Sequence, residues 1–493
     1  MSAATAERRW LAIVGIGEDG VEGLTQAARA AIERAELVAG GARHLALAAP
    51  LVRGARLAWP RPLSDGFPAI LAHRGRNVAV LASGDPYCYG VAGALAAVVP
   101  VGETVCLPAP SAFSLACARL GWAGQDVARL SACGRPLEAV LPLLQPGRRV
   151  LVLSADEGTP GAIGRMLSRH GFGGSVLHIL EALGGPKERV RSASAEGPLP
   201  GDIAPLNLVG IEVVAGPDAR IIPRAAGLPE ALFEHDGQIT KREIRAATLA
   251  ALAPRAGELL WDIGCGSGSV AIEWSLAHPA NRAIGIERRV ARAERAARNA
   301  LALGVPSLRI VTGAAPEALA GLAAPDAVFV GGGGEDEALL DAAWAALKQG
   351  GRMVANAVTI ETEALLSAAQ RAQGGTLTRL AVERLEALGV PSLRVVTGAA
   401  PEALTGLAAP DAVFVGGGSE DEALLAAAWA ALKQGGRMVV NAVTIETEAL
   451  LFAAQRARGG TLTRLAVERL DALGNRHGFR PAMRVTQWAA VKP

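Results

Sequence analysis

The chain has 493 residues, too many for a single core, so two or three domains are expected. Half of the residues are apolar and the net charge is only +2, with no long run of Lys or Arg, which disfavours nucleic-acid binding. The five cysteines form no CxxC pair, which disfavours a zinc site or a disulfide framework and favours the reducing cytoplasm. The apolar stretch from Pro86 to Gly102 is interrupted by Pro and Gly, so we expect buried strand and helix and no membrane span.

The first half of the chain alternates strand-like and helix-like segments, which predicts a mostly parallel sheet. The predicted strands are Leu11–Gly17, Val78–Ser83, Arg149–Ser154 and Leu206–Val214. Helical patterns run from Leu24 to Ala39 and from Pro160 to His170. A segment rich in Pro and Gly, residues 217–229, predicts a linker after a first domain of residues 8–216.

The second half starts the alternation again, from residue 230 to residue 493. The predicted elements are, in order, the helix Thr240–Leu252, the strand Leu259–Gly264, the helix Val270–His278, the strand Arg282–Glu287 and the helix Val290–Leu303. This order is typical of the opening of a doubly wound α/β domain, so the chain is predicted to be α/β throughout.

A long internal repeat lies within this second domain. Residues 305–389 (copy one) recur as residues 390–474 (copy two), with eight differences in 85 positions. Solenoid repeats are shorter and more diverged, so we interpret the repeat as a tandem duplication inside one domain. The last predicted strand, Met483–Val491, follows copy two and can pair locally with Thr461–Leu470. We therefore expect copy two to complete the sheet and copy one to form an appended subdomain.

The segment WDIGCGSGS, Trp261–Ser269, carries the strongest local signal for a ligand. Its three glycines permit a tight turn and a close approach of the backbone to a ligand, and the next helix begins with free amides. Glu287 ends the following strand, where an acid can accept hydrogen bonds from a ribose diol. The GxGxG spacing resembles the loop of class I S-adenosylmethionine (SAM) methyltransferases. The resemblance implies cofactor contacts at Gly264, Cys265, Gly266, Ser267, Gly268 and Glu287.

The N-terminal GIGEDG fits GxGxxG, but an NAD site also needs an acid about 20 residues on, and Leu37–Arg43 has none. Five motifs occur in order across residues 10–215: GIGEDG, SGDPYCYG, PAPSAFSLACARLG, LSACGRP and EALGGPKER. Together they resemble the tetrapyrrole (corrin/porphyrin) methylase family. That family implies two α/β subdomains with SAM between them, and Ser83, Gly84 and Asp85 as cofactor contacts. Cys133 replaces a His expected in many relatives, and we interpret it as a small buried residue.

The motifs HDGQITKREIRA, GAAPEAL and DAVFVGGG, together with the glycine loop, resemble corrin enzymes that methylate carbon 15 and decarboxylate, from residue 228 to the end. The resemblance implies SAM contacts at Thr240 and at Ala315 or its duplicate Ala400. The charged side chains after Thr240 either belong to this site or form a solvated helical turn, and the sequence leaves both open.

The two resemblances together imply one enzyme of cobalamin biosynthesis. It would use two SAM per substrate, one in each domain. The first domain would methylate carbon 5 of a polycarboxylate corrinoid, and the second would methylate carbon 15 and decarboxylate the ring C acetate. We expect no metal, no nucleic-acid or membrane partner, and a homo-oligomer; no catalytic residue is assigned. Two alternatives stay open: a different methyltransferase substrate, or activity of the first domain alone because the duplication disrupts the second.

Overall fold

A computed structural model describes residues 9–332, 336–385, 408–416, 421–473, 476–481 and 484–493. The chain divides into two compact units. One contains the residues up to Leu228 together with Ser275–Pro279 and Glu294–Arg309, and the other contains the rest of the chain. The predicted α/β class is confirmed.

The chain opens with a sheet of five parallel strands in the order β3-β2-β4-β1-β5. The strands are β1 (Leu11–Ile16), β2 (Leu37–Gly40), β3 (Ala55–Ala58), β4 (Val78–Ser83) and β5 (Thr104–Leu107). The helices are α1 (Gln26–Glu33), α2 (Ala42–Leu47), α3 (Phe67–Leu71), α4 (Ala92–Leu95) and α5 (Ala112–Leu120). All six residues of β1 are buried, as a central parallel strand covered on both faces requires.

The predicted helix Leu24–Ala39 is wrong in its second half. Helix α1 ends at Glu33, and the apolar residues from Leu37 onward form β2. The backbone N–H of Glu36 donates to the carbonyl of Asn77 at 2.8 Å, which brings this segment alongside β4. The apolar residues from Leu37 onward continue the helical pattern of α1, but pairing with the sheet makes them a strand instead.

A second sheet follows in the order β6-β7-β10-β8-β9. Its elements are β6 (Val127–Ser131), β7 (Arg149–Leu153), α6 (Thr159–Arg169), β8 (Val176–Glu181), β9 (Arg189–Ser194) and β10 (Asn207–Glu212). Only β6 and β7 are parallel, so the expectation of a mostly parallel sheet is wrong for this half. For β8 and β9 the reason is the short connection between them, which permits only an antiparallel pair.

The segment after residue 229 contains a sheet in the order β13-β12-β11-β14-β15, in which β12, β11, β14 and β15 are parallel to one another. Its strands are β11 (Leu259–Ile263), β12 (Arg282–Glu287), β13 (Arg309–Thr312), β14 (Ala327–Val330) and β15 (Arg352–Ala355). Its helices are α7 (Arg242–Leu252), α8 (Ser269–Ala277), α9 (Val290–Ala302) and α10 (Glu337–Ala346). The strand order reverses between β11 and β14, and open α/β sheets bind ligands at such a switch point.

Copy one supplies β14 and β15, so the expectation that copy two completes this sheet is wrong for these strands. β14 pairs with β11 in a register that places Leu260 opposite Ala327 and Ile263 opposite Val330. The strand that precedes them, β13, also belongs to copy one and follows α9 through a short turn. Copy one therefore reaches β11 through a short connection, whereas copy two lies 85 residues further along the chain.

The remaining elements, most of them from copy two, form another sheet in the order β16-β19-β21-β18-β17, with β20 on β19. They are α11 (Ile360–Gln373), β16 (Thr378–Leu385), β17 (Ala412–Val415), α12 (Glu422–Ala431), β18 (Arg437–Ala442), α13 (Ile445–Arg458), β19 (Thr461–Leu473), β20 (Arg476–Pro481) and β21 (Val485–Val491). The predicted local pairing of the last strand is confirmed, because β21 is antiparallel to β19 with Leu462 opposite Trp488.

Candidate functional site

The glycine loop connects the end of β11 to the start of α8. Gly264, Gly266 and Gly268 have φ values of +70°, +56° and +76°, a region that favours glycine. The amides of Gly264 and Cys265 both donate to the carbonyl of Ile286, at 2.9 and 3.1 Å, so the loop is anchored to the end of β12. A Cβ on Gly264 would lie 2.7 Å from the backbone N of Gly332, in the segment after β14. The loop therefore lies at the switch point of the sheet.

Glu287 is placed at this loop, as predicted. Its side chain is buried at the end of β12. One carboxylate oxygen, Oε2, accepts from the Gly266 amide at 3.0 Å, and Oε1 accepts from the Arg289 amide at 2.9 Å. Each carboxylate oxygen has more than one acceptor position. The fixed carboxylate is thus suited to accept hydrogen bonds from a diol beside the loop.

The side chains of Cys265 and Ser267, by contrast, are buried. The Cys265 sulfur lies 2.9 Å from the position of a Cβ on Gly285, so only a glycine of β12 leaves room for the thiol. Burial raises the pKa of the Cys265 thiol well above its usual value. The thiol therefore stays protonated and packs against the sheet.

Asp262 is a feature of this site that we did not single out from the sequence. It is almost fully buried within β11, and its Oδ2 accepts from the Ala271 amide in α8 at 3.0 Å. Its Oδ1 is buried without a hydrogen-bond partner among the described residues. Burial raises the pKa of Asp262 to about 7, and the charge of Glu287 adds to the shift. The signal in the sequence is an acid inside the otherwise apolar strand LLWDI.

The segment around Thr240 lies next to the glycine loop. The carbonyl of Gln238 is 3.9 Å from the position of a Cβ on Gly266. Arg245 is fully buried, pairs with Glu273 of α8 and donates to the carbonyl of Thr240. Arg245 is therefore not part of a solvated turn, because this buried ion pair fixes the segment to α8. Thr240 itself is half-buried.

The Ala315 turn is attached to the same strand end. The Gly313 amide donates to the carbonyl of Glu287 at 3.0 Å, and Ala315, two residues on, is half-buried. The structure thus brings Ala315, Glu287 and the glycine loop together at one edge of the sheet. Its duplicate, Ala400, lies outside the described residues.

The three candidates of the first sheet, Ser83, Gly84 and Asp85, lie at the carboxyl end of β4. Gly84 has a φ of +52°, and its carbonyl accepts from the Ala109 amide at 3.1 Å. Asp85 Oδ1 accepts from the Tyr87 amide at 2.9 Å, so this side chain also shapes the turn. The three residues form one compact loop that joins two strand ends.

A polar cluster surrounds the Ser83 hydroxyl. Arg43 Nη2 donates to Ser83 Oγ at 2.9 Å, His44 Nε2 lies 2.9 Å from the same oxygen, and Arg43 also pairs with Glu18. Burial, and next the charge of Arg43, lower the pKa of His44 to about 4, so the imidazole is neutral at pH 7. These residues lie at or just after the carboxyl ends of β1, β2 and β4, and the order of the strands brings them together.

Cys133 differs from the interpretation of a small buried residue. It is exposed, and its sulfur lies 3.2 Å from the carbonyl of Ser154. Across the described residues, no group of His, Cys, Asp and Glu side chains has a geometry that could hold a metal ion. No helix in the described parts of the chain has both the length and the apolar character to cross a bilayer.

Comparison with known families assigns a class to both halves of the chain. Residues 11–197 match the model of the tetrapyrrole (corrin/porphyrin) methylases. Residues 231–389 and 384–492 each match the model of the precorrin methyltransferase domain, so that model matches twice where the sequence is duplicated. The chain is a methyltransferase that combines these two types of domain.

Individual relatives define the family further. A precorrin-6Y C(5,15)-methyltransferase (decarboxylating) from Sinorhizobium sp. is 53% identical over 380 residues, covering 77% of this chain and 92% of that protein. The enzyme of the same name from Mycobacterium tuberculosis (strain CDC 1551 / Oshkosh) is 40% identical over 373 residues, covering 74% and 92%. The crystal structure of the C-terminal domain of precorrin-6Y C5,15-methyltransferase from Rhodobacter capsulatus is 33% identical and covers 55% of this chain and 100% of that chain, with a TM-score of 0.23. This chain belongs to the family of precorrin-6Y C(5,15)-methyltransferases (decarboxylating), which are SAM-dependent enzymes.

Proposed function

We propose that the chain methylates carbons 5 and 15 of a precorrin and removes the ring C acetate carboxyl group. Residues 8–216 would act at carbon 5, and residues 230–493 at carbon 15 with decarboxylation, joined by the linker 217–229. The relatives' name, which joins both carbons with decarboxylation, supports the two activities in one chain. The observation that carries the proposal is the positive-φ glycine loop at the switch point, with the buried Glu287 fixed beside it.

We propose that each domain binds one SAM, so that two are used per substrate. In the second domain, Gly266 would let the cofactor approach the backbone, and Glu287 would accept from its ribose hydroxyls. Thr240, on a segment beside this loop, and Ala315, in the turn bonded to the end of β12, would complete the site. In the first domain, Ser83, Gly84 and Asp85 would contact the cofactor at the end of β4. The buried and unpartnered Oδ1 of Asp262 supports a polar ligand or a water at the second site.

SAM supplies a methyl group on a sulfonium, which is transferred in line to a nucleophilic carbon. The conjugated macrocycle can supply electrons for methylation and accept them during decarboxylation, so a side-chain nucleophile is not required. The protonated Cys265 thiol fits this scheme, because it packs against Gly285 and is not an activated nucleophile. The tasks of the protein are then to orient cofactor and ring and to exclude water.

We propose a polycarboxylate corrinoid as the substrate. Of the 49 basic residues only five are lysines, and the planar guanidinium group suits bidentate contact with carboxylates. A homo-oligomeric enzyme of the cytoplasm, without nucleic-acid or membrane partners, completes the proposal. Native mass spectrometry of the purified chain tests the oligomeric state.

The proposed reaction is tested by mass analysis of the corrinoid after incubation with SAM. The proposal requires a gain of two methyl groups and the loss of one carbon dioxide. A second candidate has only the first domain active. It is favoured by one observation, namely that β21 pairs with copy two and not with the sheet of the glycine loop. A gain of one methyl group without carbon dioxide loss would support that candidate, and an unchanged substrate would contradict both.

A further inference from the structure

The two copies bury different parts of the same sequence. The strand AVFV occurs as β14 in copy one and as β17 in copy two. Phe329 of β14 is 2% exposed, whereas the equivalent Phe414 of β17 is 59% exposed. The next strand shows the reverse, because Met438 of β18 is fully buried while its counterpart Met353 in β15 is only half-buried. Copy one therefore buries the first of these two strands better, and copy two buries the second better.

The exposed strand also has an identifiable partner. In the sheet order, β17 stands at one end and pairs only with β18 among the described strands. The identical strand β14 has β15 on one side and β11 on the other. The edge that β17 leaves open is thus the edge that its duplicate uses to pair with β11. An open strand edge with an exposed Phe favours pairing.

We propose that β11 exchanges partners between the two copies, so that β17 and β18 can replace β14 and β15 beside it. The register of β14 transfers directly, and Leu260, Trp261 and Ile263 would face Ala412, Val413 and Val415. The result is one continuous sheet, β13-β12-β11-β17-β18-β21-β19, with β14 and β15 displaced. Phe414 becomes buried as Phe329 becomes exposed, so the free energy gained by burying one phenylalanine offsets the free energy lost by exposing the other. Two packings of nearly equal free energy follow.

The exchange gives the glycine loop two alternative walls. β15 ends with Ala355, and the next residue, Asn356, donates to Thr248 Oγ1 of α7 at 3.0 Å. After exchange, Val440 and Asn441 would take these positions. The valine adds two methyl groups at the carboxyl edge of the sheet, where the candidate site lies. The duplication thus supplies two interchangeable versions of one site wall, a property separate from the proposed reaction.

Matched proline variants of the full chain test the exchange. Val328→Pro disrupts β14, Val413→Pro disrupts β17, and the double variant disrupts both, because proline removes a hydrogen-bond donor from a paired strand. SAM titration measures the glycine-loop site, with Gly266→Asp as the background for binding elsewhere. Each single variant is expected to bind SAM within about threefold of wild type. When two packings are similarly populated and one is disrupted, the other still binds, and the apparent affinity changes only by the fraction of competent molecules. The double variant is expected to fall to the background.

Hydrogen exchange read by mass spectrometry gives an independent measurement. The peptide from DAVFV to Gly334 in copy one and the peptide from DAVFV to Ser419 in copy two differ in mass, because glycine is replaced by serine. In Val328→Pro the copy-two peptide is expected to become more protected than in wild type. The exchange is refuted if that peptide stays unchanged while SAM binding falls to the background, or if the double variant binds like wild type. If wild type itself shows no binding at this loop, the proposed function fails, and the peptides still decide the exchange.

Discussion

Gly264→Ala tests whether the glycine loop is held by contact between two neighbouring strand ends. At φ +70°, a non-glycine residue costs about 1–2 kcal/mol. The new Cβ would also lie 2.7 Å from the nitrogen and 2.9 Å from the Cα of Gly332, both backbone atoms that cannot rotate away. Overpacking of this kind costs about 1–3 kcal/mol, so the free energy of unfolding should fall by about 2–5 kcal/mol in all.

Gly266→Ala is the matched control, two residues further along the same loop. Its φ of +56° carries a similar backbone cost, but the nearest atom to a new Cβ is 3.9 Å away. Urea unfolding should therefore show Gly264→Ala as the less stable variant by about 1–3 kcal/mol. SAM titration should show that Gly266→Ala, compared with Gly264→Ala, loses more SAM affinity relative to its loss of stability, because the Cβ of residue 266 points into open space. Equal stabilities for the two variants would refute the contact with Gly332.

Three further substitutions test the sites, and one tests how the site is held in place. Gly266→Asp should abolish SAM binding in the second domain and spare the first, so that titration shows half the sites; unimpaired decarboxylation would contradict it. Asp85→Ala should weaken SAM binding in the first domain. Unchanged affinity would mean that this side chain only shapes its turn and does not contact the cofactor. Asp262→Asn should flatten the pH dependence of stability. The folded-state pKa is raised from 3.8 to about 7, so the free energy of unfolding of the wild type falls as the pH rises through that window. Urea midpoints at about pH 5 and about pH 8 should therefore differ less in the variant. Arg245→Met should cost about 3–5 kcal/mol because it removes one partner of the buried Arg245–Glu273 ion pair, and adding Glu273→Leu should recover most of it in the same urea assay.

The sequence predicted the elements around the glycine loop closely, because short-range patterns determine them. The predicted strand Arg282–Glu287 has the same bounds in the structure, and the predicted helix Val270–His278 is α8, Ser269–Ala277. Glycines with positive φ and an acid at a strand end depend on local geometry, and such features are visible in one sequence. The proximity of Glu287 to Gly266 follows from the parallel pairing of β11 with β12.

Features that depend on contacts between distant segments could not be predicted in this way. The burial of Arg245 requires Glu273, 28 residues away, as its partner, and a charged residue in a first helical turn usually faces solvent. The polar cluster at Ser83 joins residues that are about 40 positions apart in the chain. The choice between the copies is similar, because 77 of their 85 positions are identical and pairing with β11 separates them only in space.

The position of the duplication explains how the candidate cofactor site can coexist with it. The glycine loop, Glu287 and the Thr240 segment all precede residue 305, where copy one begins. The Ala315 turn and Gly332 belong to copy one, which reaches this edge of the sheet through its own β13 and β14. The sheet of the glycine loop ends at β15 and lacks the late strands, because β21 pairs with β18 and β19 instead. A doubly wound sheet binds its ligand at the switch point between early strands, so the duplication alters the far side of the sheet and leaves the glycine loop beside β12, β14 and the Ala315 turn.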